Sequence, residues 1–449
     1  MSKDELQRGF GLSTSTYVVI ASMVGTGILI SPGYMMVSLK NYPVIFGLWA
    51  LGGLLALCGA LCVAELAAAL PRAGGEYVYL REAYGPMPAF LSGWTSFFVG
   101  FSAPLAVAGY IAALYLLSPF GLAEKATGYL VKTVAAIIIA AITLPNLISY
   151  RHSAWTQNLT TMLKLGLFVA LVAAAFLFGG GRTANISEGQ STGKVQLGTA
   201  ATQLFYVMFA YSGWNAASYM AGEVRNPART LPRSLLLGTG LVIVLYLALN
   251  LVFASAVPLA NVGFDNAERV PQLAVENLFG QKASSVFSVA LGLTFLATVS
   301  AFIITGPRVY YAMAKDGLFP SIAGHVSPKG HVPTYAMLLQ SACAIIILFV
   351  TDFQNLYKYA SVGLSLFALL FIGAVYVLRW RRPDMERPFR VPGYPVVPAI
   401  FLVVIIFMAV FAFIQWPKPS LLSLGSILIG IPVYYIWSLA RRPASQQNG

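Results

Sequence analysis

Only 10% of the residues are charged, against about 25% in soluble globular domains, which excludes a water-soluble class. Cysteine is equally scarce. Cys58, Cys62 and Cys343 all fall within apolar runs, where thiols behave as small buried hydrophobes, so neither a disulfide framework nor a thiolate metal site is expected. His152, His325 and His331 lie in loops without ligand-like spacing, and no metal or cofactor is expected. No paired carboxylates and no nucleophile with a base lie deep in the apolar runs, which argues against a membrane-embedded enzyme. No polar segment is long enough to bury a core of its own. The chain therefore reads as a single membrane domain, 1–449.

What it has in abundance is apolar sequence, 58% of 449 residues. A span needs about 20 mostly apolar residues, and such runs occur at about 12–38, 44–70, 87–117, 128–148, 154–179, 199–223, 232–257, 285–313, 333–351, 355–379, 395–416 and 419–440. The opening "MSKDELQRGFGLST" carries both signs of charge and no small-residue cleavage site, so the first span is expected to stay. With the amino terminus in the cytoplasm, 18 of the 28 Lys and Arg fall on the cytoplasmic side, nine on the other, and Lys164 in a span. The net charge of +13 is thus a topology signal placing both termini in the cytoplasm, with contact to membrane lipid and no nucleic acid. Connections at 180–198 and 258–284 would lie outside, the latter with short surface helices. "PRAGGEYVYLREAYGP" reads as an interfacial helix.

Two spans are interrupted. "ASMVGTGILISPGY" places Gly25, Thr26 and Gly27 in the middle of the first, and "QLFYVMFAYSGWNAASYMAGEVRNP" places Ser212 and Gly213 in the sixth. Paired breaks at matching places in two halves point to a transporter built from inverted repeats, with its site at the breaks. Backbone groups freed by unwinding find no partner in lipid, but a ligand can supply one. The amides of Gly27, Ile28 and Leu29 open a half-helix at its positive end, which suits a carboxylate. Carbonyls near Phe209, Ala210 and Ser212 close a half-helix at its negative end, which suits an ammonium; Tyr211 and Trp214 add aromatic walls.

"GTGILISPG", "AELAAALPRAGGEYVYLREAYGPMPAFLSGW", "FAYSGWNAASYMAGEVRNP" and "PRVYYAMAKDGLFP" resemble the amino acid–polyamine–organocation superfamily, most of all bacterial relatives of its L-type amino acid transporter branch. The resemblance covers essentially the whole chain. It implies an all-α polytopic membrane protein with a LeuT-like five-plus-five inverted repeat (spans one to five, 12–179, and six to ten, 199–379) and two further helices at 395–440. Helices one and six are the interrupted ones among the twelve. It also implies a carboxylate site on Thr26, Gly27 and Ile28 beside Gly25, an amino-group site on the Phe209–Ser212 carbonyls with Trp214 nearby, and a gate at Phe209. The connection "YLLSPFGLAEKATGYL" has no cysteine, which excludes a disulfide-linked heavy chain at that place.

Lys164, in "TQNLTTMLKLGLFVALV", lies about ten residues, roughly 15 Å, into its span, at an insertion cost of about 2.5–3.5 kcal/mol. In the resembled family a lysine here replaces the sodium ion of sodium-coupled relatives. That role implies contact with carbonyls around Ser22 to Gly25 and with Ser300 of span eight. Permanently charged, it suits exchange; titrating, it suits proton symport. Glu65 is expected to pair near Arg72, Arg81 and the interfacial helix. Arg308 with Asp316 and Glu223 with Arg225 extend that network, while "RWRRPDMERPFRVPGYP" reads as a solvated loop. The middles of spans three, six, eight and ten hold no Asp, Glu or Arg, so the expected cargo is a neutral amino acid. The expected function is sodium-independent exchange across the cytoplasmic membrane. A proton-coupled symporter and a non-transporting sensor on the same fold remain the alternatives.

Overall fold

The computed structural model of the protein describes residues 10–72, 74–122, 128–147, 151–179, 195–325, 333–350 and 352–439. The described chain is helical, with one isolated parallel bridge, between Phe10 and Val224. In order the helices are α1 Leu12–Met23, α2 Gly27–Leu39, α3 Tyr42–Ala69, α4 Glu76–Tyr84, α5 Pro86–Thr95 and α6 Ala103–Leu117, then α7 Gly128–Asn146 and α8 Arg151–Phe178. After them come α9 Leu197–Ala210, α10 Ala216–Tyr219, α11 Pro227–Ala256, α12 Val270–Phe279 and α13 Gln281–Lys315. The last five are α14 Thr334–Val350, α15 Phe353–Arg381, α16 Val396–Gln415, α17 Pro417–Leu428 and α18 Gly430–Leu439.

Among the described residues, nine helical stretches are long and apolar enough to cross a bilayer by length and composition. Shorter apolar helices stand where spans five, six and nine were predicted: Met162–Phe178, Leu197–Ala210 and Thr334–Val350. Helices dominate because a crossing segment must satisfy its own backbone. Large apolar side chains such as Val244, Ile346, Val403 and Ile414 point outward, as a surface solvated by hydrocarbon requires. Local chemistry sets several ends. Asn41 caps α3 by accepting from the Val44 amide at 3.1 Å, and Asp352 caps α15 through Asn355 at 2.8 Å. Within span three, Ser96–Ser102 winds as a π-helix joining α5 to α6, a local widening of the helix that is frequent at functional sites.

The two faces of the bundle are tied differently. On the face carrying Phe10, the backbone of Phe10 donates to Glu223 at 3.0 Å and accepts from Arg225 at 2.8 Å. Helix α4 lies where an interfacial helix was predicted, but its charges pair otherwise than expected. Glu65 accepts from Arg379 at 2.8 and 2.5 Å and from the Val391 amide at 2.7 Å, with Arg387 at 3.5 Å. Arg72 and Arg382 meet Glu82, and Arg81 meets Asp316. The loop read as solvated therefore folds back onto Glu65, because two basic residues and an amide there satisfy a carboxylate that no nearer residue reaches. The Arg308 side chain lies outside the described residues, as do His331 and most of 180–198.

On the opposite face, α2 presses against the loop after α11. A Cβ on Gly33 would lie 2.6 Å from the Ala267 carbonyl carbon and closer to its oxygen, so only glycine allows this approach. Tyr34 donates to Glu268 at 2.5 Å, and Tyr115 donates to the Glu268 carbonyl at 3.1 Å. Burial raises the Glu268 carboxyl above the usual carboxylate range, and the Tyr34 hydroxyl opposes that rise. The 258–284 segment forms the short helices expected, including 3-10 turns at Leu259–Asn261 and Ala267–Arg269 ahead of α12.

Candidate functional site

The two interrupted helices break at the predicted residues, and the breaks meet. Helix α1 ends at Met23; Val24 leaves the helical region at φ −73, ψ 82, and the Gly25 amide turns back to the Met23 carbonyl at 2.8 Å. Helix α9 ends at Ala210, and Tyr211–Asn215 form the turn before α10, with Gly213 at φ +99. Each break seats a glycine on the other. A Cβ on Gly27 would stand 2.8 Å from Ala210 Cβ and 2.9 Å from its nitrogen, and one on Gly213 2.7 Å from the Ser22 carbonyl oxygen.

The donors at the head of α2 are open. Leu29 and Ile30 both donate to the Thr26 carbonyl, at 3.1 and 3.2 Å. Among the described residues, none accepts from the amides of Thr26, Gly27 or Ile28. The open set is thus displaced by one residue from the Gly27–Leu29 trio read from the helix start, because a turn bonded three residues back at Thr26 satisfies Leu29. The positive end of α2 lies against the negative end of α9, where Gly27 touches Ala210. Such a junction offers donors for an anion and acceptors for a cation within one residue's width.

The acceptors are held by a residue that sequence reading passed over. Tyr246 of α11, fully buried, has its hydroxyl 2.7 Å from the Met23 carbonyl and 3.1 Å from that of Ala210. One hydroxyl proton shared by two carbonyls ties the last turns of both half-helices. Trp49 packs edge-on against the Tyr246 ring, and Tyr211 lies tilted beside it. The only hint in the sequence is a tyrosine and an asparagine interrupting "LVIVLYLALN". We expect Tyr246→Phe to fold and insert but to move substrate about tenfold more slowly. The lost hydroxyl leaves two carbonyls to reorganise at about 1–3 kcal/mol, which initial rates in proteoliposomes will measure.

Phe209, buried, packs at 4.5 Å between ring centroids on Tyr357 of α15. Above it Tyr357 and Tyr34 both stack on Tyr206, and Ser31 joins the Tyr357 hydroxyl at 2.9 Å to the Tyr206 carbonyl at 2.8 Å. Trp214 turns away from Phe209, stacking on Phe371 and lying against Phe401 and Gly59. Ser212 stays partly exposed, its amide donating to the Phe209 carbonyl at 3.0 Å.

Lys164 is buried, but not where the resemblance implied. Its ammonium donates to Thr298 at 3.3 Å and lies 5.9 Å from the centre of the Phe295 ring, both on α13. Ser300 instead accepts from Asn146 of α7 at 3.3 Å. Two residues along a helix turn its face by about 200°, so Thr298 and Ser300 serve different neighbours. A second connection unread in the sequence joins Asn215, in the sixth-span turn, to Glu76 of α4 at 2.6 Å.

Comparison with known proteins shows the family of the chain. The amino acid permease family matches residues 10–437. The mouse b(0,+)-type amino acid transporter 1 is 29% identical over 438 residues, covering 96% of this chain and 88% of the relative. The serine/threonine exchanger SteT of Bacillus subtilis (strain 168) is 28% identical over 442 residues, covering 98% of each. The human cystine/glutamate transporter is 27% identical over 440 residues, covering 97% and 86%. These relatives are transporters, not enzymes, and an all-helical membrane protein interrupted in its first and sixth spans, as LeuT-like proteins are, belongs with them. With a match running nearly end to end, the chain belongs to the amino acid permease family of the amino acid–polyamine–organocation superfamily.

Proposed function

We propose that the protein exchanges neutral L-amino acids across the cytoplasmic membrane without sodium, by alternating access. The observation that carries this reading is the set of open amides at Thr26, Gly27 and Ile28 beside the carbonyl end of α9. A carboxylate would take the amides, and an ammonium would take the second lone pairs of the Phe209, Ala210 and Ser212 carbonyls. Neutral cargo is supported by the sequence, since the middles of spans three, six, eight and ten hold no Asp, Glu or Arg. Exchange is favoured by the name of the bacterial relative, a serine/threonine exchanger.

In this reading spans one to five and six to ten are the two repeats, with spans eleven and twelve appended and both termini cytoplasmic. The Phe10 face is then the inner one, and Phe209 closes over bound substrate from the outer side. Lys164 acts as a tethered cation in place of sodium, with Thr298 rather than Ser300 as its polar contact. No disulfide-linked heavy chain is needed.

The test is uptake of labelled alanine and leucine into sodium-free proteoliposomes, preloaded with unlabelled amino acid or left empty. We expect uptake only with preload and no response to added sodium. A sodium requirement would overturn the role given to Lys164. Uptake into empty vesicles driven by an inward proton gradient would replace exchange with symport.

A further inference from the structure

Among the described residues, three acidic side chains on the Phe10 face are matched by cations. Glu65 is held by Arg379 and Arg387, Glu82 by Arg72 and Arg382, and Asp316 by Arg81. Glu76 lies among them at the start of α4, and among the described residues its hydrogen-bond partner is a neutral amide, Asn215 Nδ2 at 2.6 Å. Its other near neighbours are uncharged too, Tyr79 on its own helix and Tyr219 on α10. Arg381 of α15, a further cation against α4, is bonded to the Ala83 carbonyl at 3.1 Å.

The placement is as specific as the pairing. Asn215 belongs to the turn that interrupts the sixth span, one residue after Trp214 and two after Gly213, which lies on Ser22 of the first break. The turn before α4 is moulded to the same region: a Cβ on Gly75, at φ +52, would stand 2.7 Å from the Tyr219 ring, and the Gly74 amide donates to the Tyr219 carbonyl at 3.3 Å. A carboxylate at the start of α4 thus meets the side chain of the turn that interrupts the sixth span, with no cation paired to it among the described residues.

We propose that Glu76 is a positioning residue that acts through Asn215, gaining and losing a proton to set how readily the site opens toward the Phe10 face. The assignment rests on the transport function proposed above. In the packed arrangement burial pushes the Glu76 carboxyl up from an ordinary 4.5 to about 7, and the Asn215 amide holds it below where burial alone would put it. Opening that face admits water and returns the carboxyl toward its ordinary value. The closed arrangement therefore binds the proton more tightly. By linkage, low pH favours closure, and a rise in pH from the ordinary value through about 7 favours opening.

The experiment measures two things on full-length protein, with equal pH on both sides of the membrane so that no gradient drives flux. One is exchange in proteoliposomes from about pH 5.5 to about pH 8; the other is intrinsic tryptophan fluorescence over the same range, which reports on Trp214 beside Asn215. Wild type is expected to gain about fivefold or more in exchange rate across this range, with a fluorescence transition near neutrality. Glu76→Gln, which keeps an acceptor for Asn215 but cannot titrate, is expected to lose both changes while its KM stays near that of wild type. If Glu76→Gln cannot be recovered folded, Asn215→Ala takes its place and is expected to move the midpoint upward, since the amide that lowers the Glu76 pKa is gone. A midpoint unchanged in the variant read would overturn the proposal. Fluorescence is independent of cargo: if no amino acid is exchanged at any pH, the transport function fails, and Glu76 still stands or falls by that titration.

Discussion

Gly27→Ala is expected to reduce exchange about a hundredfold or more while leaving a folded, inserted protein. A methyl at this position would meet Ala210 at 2.8 Å from Cβ and 2.9 Å from the backbone nitrogen, and backbone cannot swing aside as the tip of a long side chain can. The two half-helices must separate instead. Displacing reacting or binding groups by about 1 Å costs about 10²-fold in well-organised sites, and the displaced groups here include the open amides of Thr26, Gly27 and Ile28. Gly27→Leu should be worse, since its branches would also fill the space before those amides. Gly25→Ala is the control. A Cβ there meets nothing nearer than the Met23 carbonyl at 3.8 Å, so exchange should stay within a fewfold of wild type. Counterflow with labelled alanine reads all three, and normal exchange by a folded Gly27→Leu protein would sink the assignment of the anion site to this turn.

Glu65→Ala is expected to be the most destabilising single change on the Phe10 face, by about 3–5 kcal/mol, the usual cost of removing one partner from a buried charge cluster. The Glu65 side chain is 2% exposed and those of Arg379 and Arg387 are 21% and 6% exposed, so two cations would be left with little water and no carboxylate. The Val391 amide would lose its acceptor as well. A marked fall in apparent melting temperature in detergent, with loss of monodisperse protein, is the expected result. Arg81→Ala, which breaks a pair whose members are 57% and 38% exposed, should cost less than about 1 kcal/mol. Equal melting temperatures for the two variants would show that the Glu65 cluster does not hold this face together.

The contrast between Gly25 and Gly27 shows where sequence reading stops. Both glycines weaken a helix by about 1 kcal/mol relative to alanine, and from the sequence they are equivalent parts of one break. In the structure a Cβ on the first would make one ordinary contact, and the second touches the opposing break. Likewise Lys164 was legible as a buried cation in need of a partner, but its partner was not: Thr298 and Ser300 differ by half a helical turn, and only the rotation of α13 chooses between them. Glu65 offered several nearby arginines, yet pairs with residues more than 300 positions away. Tyr246 and the Glu76–Asn215 contact had almost no signal, since a buried tyrosine and an interfacial glutamate are ordinary residues until the groups they reach are known.

The sequence by itself determined the helical membrane class, the order and approximate bounds of the spans, the two breaks and the interfacial helix. These follow from short-range physics: an apolar run in lipid must bond its own backbone, and glycine and serine clusters inside such a run let it unwind. The tertiary structure alone decided which amides stay open, that the two breaks press on each other, that one tyrosine hydroxyl ties them, and which acid meets which base. Those outcomes depend on the relative rotation and approach of helices far apart in the chain, where shifts of a single residue or an ångström exchange one hydrogen-bond partner for another.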